Sequence, residues 1–132
     1  MKRRQFIVGS GVVVAGSSLT TLLSSCGGTT ALQPGEVLHT VTFSLKHPLA
    51  SAEANLFIAD AKRILTAVPG VEDFQAYRQC SPKSDMQYGF LMRFRDQSAM
   101  DAYTAHPDHM AFVTARWDTE VTQFQESDFI SL

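Results

Sequence analysis

The chain has 132 residues, 45% hydrophobic and 18% charged, which is the make-up of one ordinary globular domain with a single core. Its formal net charge of −2 conceals a more acidic folded part: Lys2, Arg3 and Arg4 stand in an acid-free leader, and the rest carries eight basic against thirteen acidic residues. A domain of that sign, with no segment that interleaves Lys or Arg with aromatics, is not built to bind nucleic acid.

Residues 1–25 have the form of an export signal: a basic start "MKRR", an apolar run from Phe6 to Leu23 diluted by Gly, Ser and Thr, then "LSSCGG". The run is too mild and too short for a membrane-spanning helix. "RRQFI" resembles a twin-arginine signal, and Leu23 to Gly27 resemble the lipobox before which bacterial lipoprotein leaders are cut. The expectation is an exported protein of the bacterial cell envelope, lipidated at Cys26 and anchored to a membrane by more than one acyl chain. A lipidated Cys26 leaves Cys80 without a disulfide partner, and its simplest role is a small buried hydrophobe at a strand end. Residues 26–36, "CGGTTALQPGE", have the small and breaker residues of a tether, which leaves 37–132 as the folded domain.

Within that domain "VLHTVTFSLK" alternates strictly, with Val37, His39, Val41, Phe43 and Leu45 on one face, the pattern of a half-buried strand. His47-Pro48 stops it, Ser51 and Glu53 open a helix, and Phe57, Ala61, Ile64, Leu65 and Val68 recur at helical spacing until Pro69-Gly70. "EDFQAYRQC" is a second strand of weaker alternation, "SPKSD" a turn, and "MQYGFLMRF" a third strand whose Gly89 suggests a bulge or a close contact. Asp96 caps a helix through Met100 and Tyr103, Pro107 breaks it, and a further helix carries Met110, Phe112, Val113 and Trp117. "TEVTQFQESDFI" closes the chain as a bent or bulged strand. The order β-α-β-β-α-α-β predicts a ferredoxin-like α+β sandwich with helices on one sheet face. The other face is left to be covered, and a second identical subunit packed against it would close a dimeric α/β barrel.

The stretches "HTVTFSL", "VPGVEDF", "SPKSDMQYGF" and above all "YTAHPDHMAFV" resemble the stress-responsive A/B barrel (Dabb) family of the dimeric α/β-barrel superfamily, over roughly His39 to Phe129. The resemblance implies the same sheet and a homodimer; no cofactor is expected. A similar plant enzyme, olivetolic acid cyclase, performs an intramolecular aldol condensation in such a pocket. Its strand histidine matches His39, its tyrosine Tyr103 and its catalytic histidine His109, whereas the position of a further helix tyrosine is Ala61 here.

The pair in "AHPDH" can be weighed on its own chemistry. Histidines at i and i+3 on a continuous helix can share a zinc ion, but Pro107 separates His106 from His109, and His39, Asp101 and Asp108 are only weak candidates for a third ligand, so no metal site is expected. His106 falls at a helix end, where its ring is expected to serve the exposed carbonyls. His109, one turn into the next helix, is expected to point under the sheet towards His39. A cavity of His109, Tyr103 and His39 could orient a small apolar or aromatic ligand, or could use His109 as a base and Tyr103 as a donor in cofactor-independent proton transfer.

Overall fold

A computed structural model describes residues 31–132, so the expected export signal and the expected lipidation at Cys26 lie outside the described residues. The elements are β1 (Val37–Leu45), α1 (Ala52–Thr66), β2 (Glu72–Arg78), β3 (Tyr88–Phe94), α2 (Gln97–Ala105), α3 (Pro107–Phe112), a π-helical turn (Val113–Trp117), α4 (Asp118–Glu120) and β4 (Val121–Phe129). The four strands form one antiparallel sheet in the order β2-β3-β1-β4, which is the ferredoxin-like arrangement the sequence predicts. Among the described residues no helix is long and apolar enough to cross a membrane.

Side-chain alternation builds the core. The inward residues of β1 and β3 meet α1 and α3, and Phe43, fully buried, contacts the rings of Phe57, Tyr88, Phe90 and Trp117 at centroid distances of 4.6 to 6.0 Å. Burying each such side chain contributes about 1.5 to 3 kcal/mol relative to exposure. Helix starts follow their caps: the Ser51 hydroxyl accepts from the Ala54 N–H, and Asp96 Oδ1 accepts from the Ala99 N–H at 2.7 Å. Gly70, at φ +91, turns the chain from α1 into β2 so close to α2 that a Cβ would stand 3.5 Å from the Ala99 carbonyl.

Several local expectations are corrected. β2 alternates weakly because it holds a bulge: Glu72 pairs with Arg93 but Gln75 with Leu91, so β2 has one residue more than β3 there, and Asp73 takes φ +51. Gly89 is not a bulge; it pairs in register with Thr42, and a Cβ would meet nothing nearer than 3.9 Å. The irregularity expected in the last strand is Thr122, the extra residue where Ser44 pairs with Gln123 but Leu45 with Val121. Cys80 is exposed rather than buried, because the chain leaves the sheet after Arg78 into the turn. Residues before β1 also make contacts, with the Gln33 N–H donating to Glu36 and Glu36 facing Arg93 at 3.7 Å.

The sheet face away from the helices is less apolar than a core face. Thr40, Thr42 and Ser44 of β1 stand opposite Ser127, Gln125 and Gln123 of β4, while Leu38, Leu91 and Phe129 gather towards one end.

Candidate functional site

β1 carries His39 on the helix side of the sheet, and the antiparallel register sets Asp128 of β4 directly across from it. The His39 Nδ1–H donates to Asp128 Oδ1 at 2.6 Å, with the imidazole side chain 11% and the carboxylate 44% exposed. A polar ring buried among apolar neighbours is tolerable only with such a partner, and a charged acceptor makes the bond strong. The bond also fixes the ring, whose centroid lies 6.4 Å from those of Phe94 and Tyr103.

α2 delivers Tyr103 from its last turn. The residue is 3% exposed, its hydroxyl has no hydrogen-bond partner among the described residues, and it lines a cavity of about 220 Å³. No buried side-chain nitrogen or oxygen of the described residues lacks a partner, so this hydroxyl opens on the cavity rather than being sealed in the core. Burial, helped by the charge of Glu126, pushes the phenol pKa up and keeps it protonated.

The two histidines around Pro107 have distinct roles. His106 ends α2 and begins α3, and its Nδ1 accepts from the Asp108 N–H at 3.2 Å. The expectation that the His106 ring bonds helix-end carbonyls is therefore corrected: the ring caps the start of α3, since Pro107 points the chain away from α2. His109 makes the carbonyl bond instead. Its Nδ1–H donates to the Thr104 carbonyl at 3.0 Å, which leaves Nε2 with the lone pair in the neutral ring. Burial lowers the His109 pKa, only partly opposed by that carbonyl, so the ring is neutral at pH 7. Its centroid is 4.4 Å from that of Tyr103.

His39, Tyr103 and His109 thus line one cavity together with Val41, Phe90 and Met92 of the sheet and Phe112 and Trp117 from the helical segment. On α1 the residue that reaches the cavity is Leu65, whereas Ala61 is buried in the core. Sequence reasoning missed Phe124, Glu126 and Asp128, which alternate along β4 on the face that bears His39 in β1. Their i, i+2, i+4 spacing was the available signal, obscured because two acids replace the apolar residues that mark an inward strand face. Asp118 was missed as well. Asp101 accepts from Gln97 and Asp108 stays 3.9 Å from His106; among the described residues no three His, Cys, Asp or Glu side chains converge as metal ligands do.

Chemically, the site combines an uncharged imidazole with a free basic nitrogen, an unpartnered phenol and a fixed His-Asp pair in a largely aromatic hollow. The same architecture recurs in solved structures. A Dabb-family protein with a ferredoxin-like fold from Mesorhizobium loti is 50% identical, with a TM-score of 0.73, covering 74% of this chain and 98% of that one. A dimeric protein of unknown function from Bacteroides fragilis is 18% identical (TM-score 0.59; 76% and 99% covered), and the hydroxynitrile lyase of Passiflora edulis is 15% identical (TM-score 0.66; 76% and 96% covered). No curated protein matches the chain. The family model of the stress responsive A/B barrel domain matches residues 37–131, and the chain belongs to that family.

Proposed function

We propose that the protein is an envelope-anchored lipoprotein whose stress responsive A/B barrel domain forms a homodimer and binds a small apolar or aromatic ligand between its helices and its sheet. The observation that carries the binding role is the Tyr103 hydroxyl, which has no partner among the described residues and opens on the same hollow as His109 Nε2. A hydroxyl that opens on an apolar hollow without a protein partner is placed to bond a ligand that fills it. Native mass spectrometry of the protein purified from its own host is expected to show a bound small molecule, and its complete absence from a folded preparation counts against the proposal.

Proton transfer is the second reading, favoured by the bond from His109 Nδ1 to the Thr104 carbonyl, which presents Nε2 as a neutral base beside the Tyr103 ring. The hydroxynitrile lyase of similar fold fits such chemistry. In this reading His109 removes a proton next to a carbonyl and Tyr103 donates to the developing oxygen anion. Deuterium exchange into the methyl group of acetophenone, faster with the wild type than with His109→Ala, is the expected result, and equal rates oppose it.

The anchor rests on Leu23 to Gly27. Membrane fractionation is expected to retain the wild type and release Cys26→Ala, and equal release of both refutes the lipoprotein reading.

A further inference from the structure

Apart from its two histidines, the ionisable side chains at the mouth of the cavity are acidic. None of its thirteen residues is a lysine or an arginine, and two of them, Asp118 and Glu126, are carboxylates. Both are exposed, as is Phe124 on the edge strand β4, so these three form the side open to solvent. The reach of Glu126 extends inward, since its charge is felt at both Tyr103 and His109.

The walls act in the same sense. Phe90, Phe112, Trp117 and Phe124 present aromatic rings, whose faces are electron-rich and attract cations. Arg116, next in sequence to Trp117, does not compensate. Its guanidinium bonds Glu120 and Asp60 and lies 5.5 Å from the centre of the Phe57 ring. His109, neutral through burial, brings no positive charge, and its Nε2 is an acceptor. The Tyr103 hydroxyl, in a residue 3% exposed and without a partner among the described residues, adds accepting lone pairs to the cavity.

We infer that the cavity selects a small organic cation, an amine or ammonium group on an apolar or aromatic body, and rejects carboxylates and phosphates. The apolar body fills the space among the rings, and the ammonium group lies against the aromatic faces within the field of Glu126 and Asp118. A carboxylate of the same shape meets those two anions with no lysine or arginine in the lining to offset them, and a neutral analogue keeps only the apolar contacts. The inference rests on the ligand-binding reading and adds the class of ligand to it.

Trp117, the only tryptophan of the chain, stands in the cavity wall and reports occupancy by its fluorescence. The test is titration of the full-length protein with benzylamine in its protonated form, benzyl alcohol and benzoate, probes of nearly equal size, at pH 7.5 and constant ionic strength. The expected result is benzylammonium binding about tenfold more tightly than benzyl alcohol, with benzoate weakest. In Glu126→Gln the cation is expected to lose most of that advantage while benzyl alcohol keeps its affinity within about twofold, and Asp118→Asn to show a smaller loss of the same kind. Benzyl alcohol binding the wild type as tightly as benzylammonium overturns the charge selectivity and leaves the binding reading standing. A preference that survives unchanged in the Glu126→Gln, Asp118→Asn double variant overturns it too. If none of the three probes changes the Trp117 emission, the inference and the binding reading both fall.

Discussion

His109 illustrates how one side chain joins stability to chemistry. Its pKa is depressed chiefly by burial, so the folded protein holds the neutral ring while the unfolded chain binds a proton near the ordinary value of about 6.5. Above that pH both states are neutral and the residue contributes no pH dependence. As pH falls, the unfolded chain is protonated first, so stability declines from about pH 6.5 down through the lower folded value and then levels off. Urea unfolding between pH 8 and pH 5 is expected to show this decline in the wild type and a shallower one in His109→Gln; parallel curves contradict the assignment. The residues of the cavity that were legible in sequence, His39, Tyr103 and His109, stand in segments whose periodicity is clean. Glu126 and Asp128 were not, because an acid on the inward face of a strand reads as an interruption, and only pairing with β1 shows what it faces.

Elements were legible where caps and alternation agree, as in β1, α1 and β3, and illegible where backbone geometry departs from period without a marker residue. The bulge at Asp73 has no Gly or Pro to announce it, the imperfect alternation of the last strand pointed to an irregularity without placing it at Thr122, and "VTARW" gives no sign of a π-helical turn. That turn is held from outside the cavity. Arg116 bonds Glu120 and Asp60, the His47 Nε2–H donates to Glu120 at 2.8 Å, and the Arg116 guanidinium holds the Glu120 carboxyl below the usual carboxylate range. Removing the guanidinium leaves Glu120, 13% exposed, with His47 as its remaining partner. Arg116→Met is therefore expected to lower stability at pH 7 by about 1 kcal/mol, a fall in Tm of roughly 5 °C. Because the folded pKa of Glu120 is depressed, this contribution is present above its unfolded value and fades as pH drops through the folded one. Calorimetry at pH 7 and pH 3 checks both halves, and an equal difference at the two values contradicts the ion-pair account.

At the scale of the whole molecule, the ferredoxin-like sheet was legible because the order of elements admits few other sheets, and the resemblance carried the family. The character of the open sheet face was not, since β2 and β4 are bulged and their outward residues cannot be assigned from alternation alone. Its centre of Thr, Ser and Gln and its apolar end of Leu38, Leu91 and Phe129 suit a partner sheet that meets it through both polar and apolar contacts. Sedimentation at micromolar concentration is expected to give twice the chain mass, with Leu38→Glu shifting the protein towards monomer; a folded wild-type monomer refutes the barrel.

Within that assembly the central claim is that His109 serves a ligand cavity while His106 serves the joint between α2 and α3. The most direct measurement is native mass spectrometry with parallel melting of wild type, His109→Ala and His106→Ala, each purified from the same host. The account predicts a bound small molecule on the wild type and on His106→Ala, loss of that molecule from His109→Ala at unchanged oligomeric mass, and a loss of about 1 kcal/mol in stability for His106→Ala from the missing cap. A molecule that stays on His109→Ala and leaves His106→Ala contradicts it.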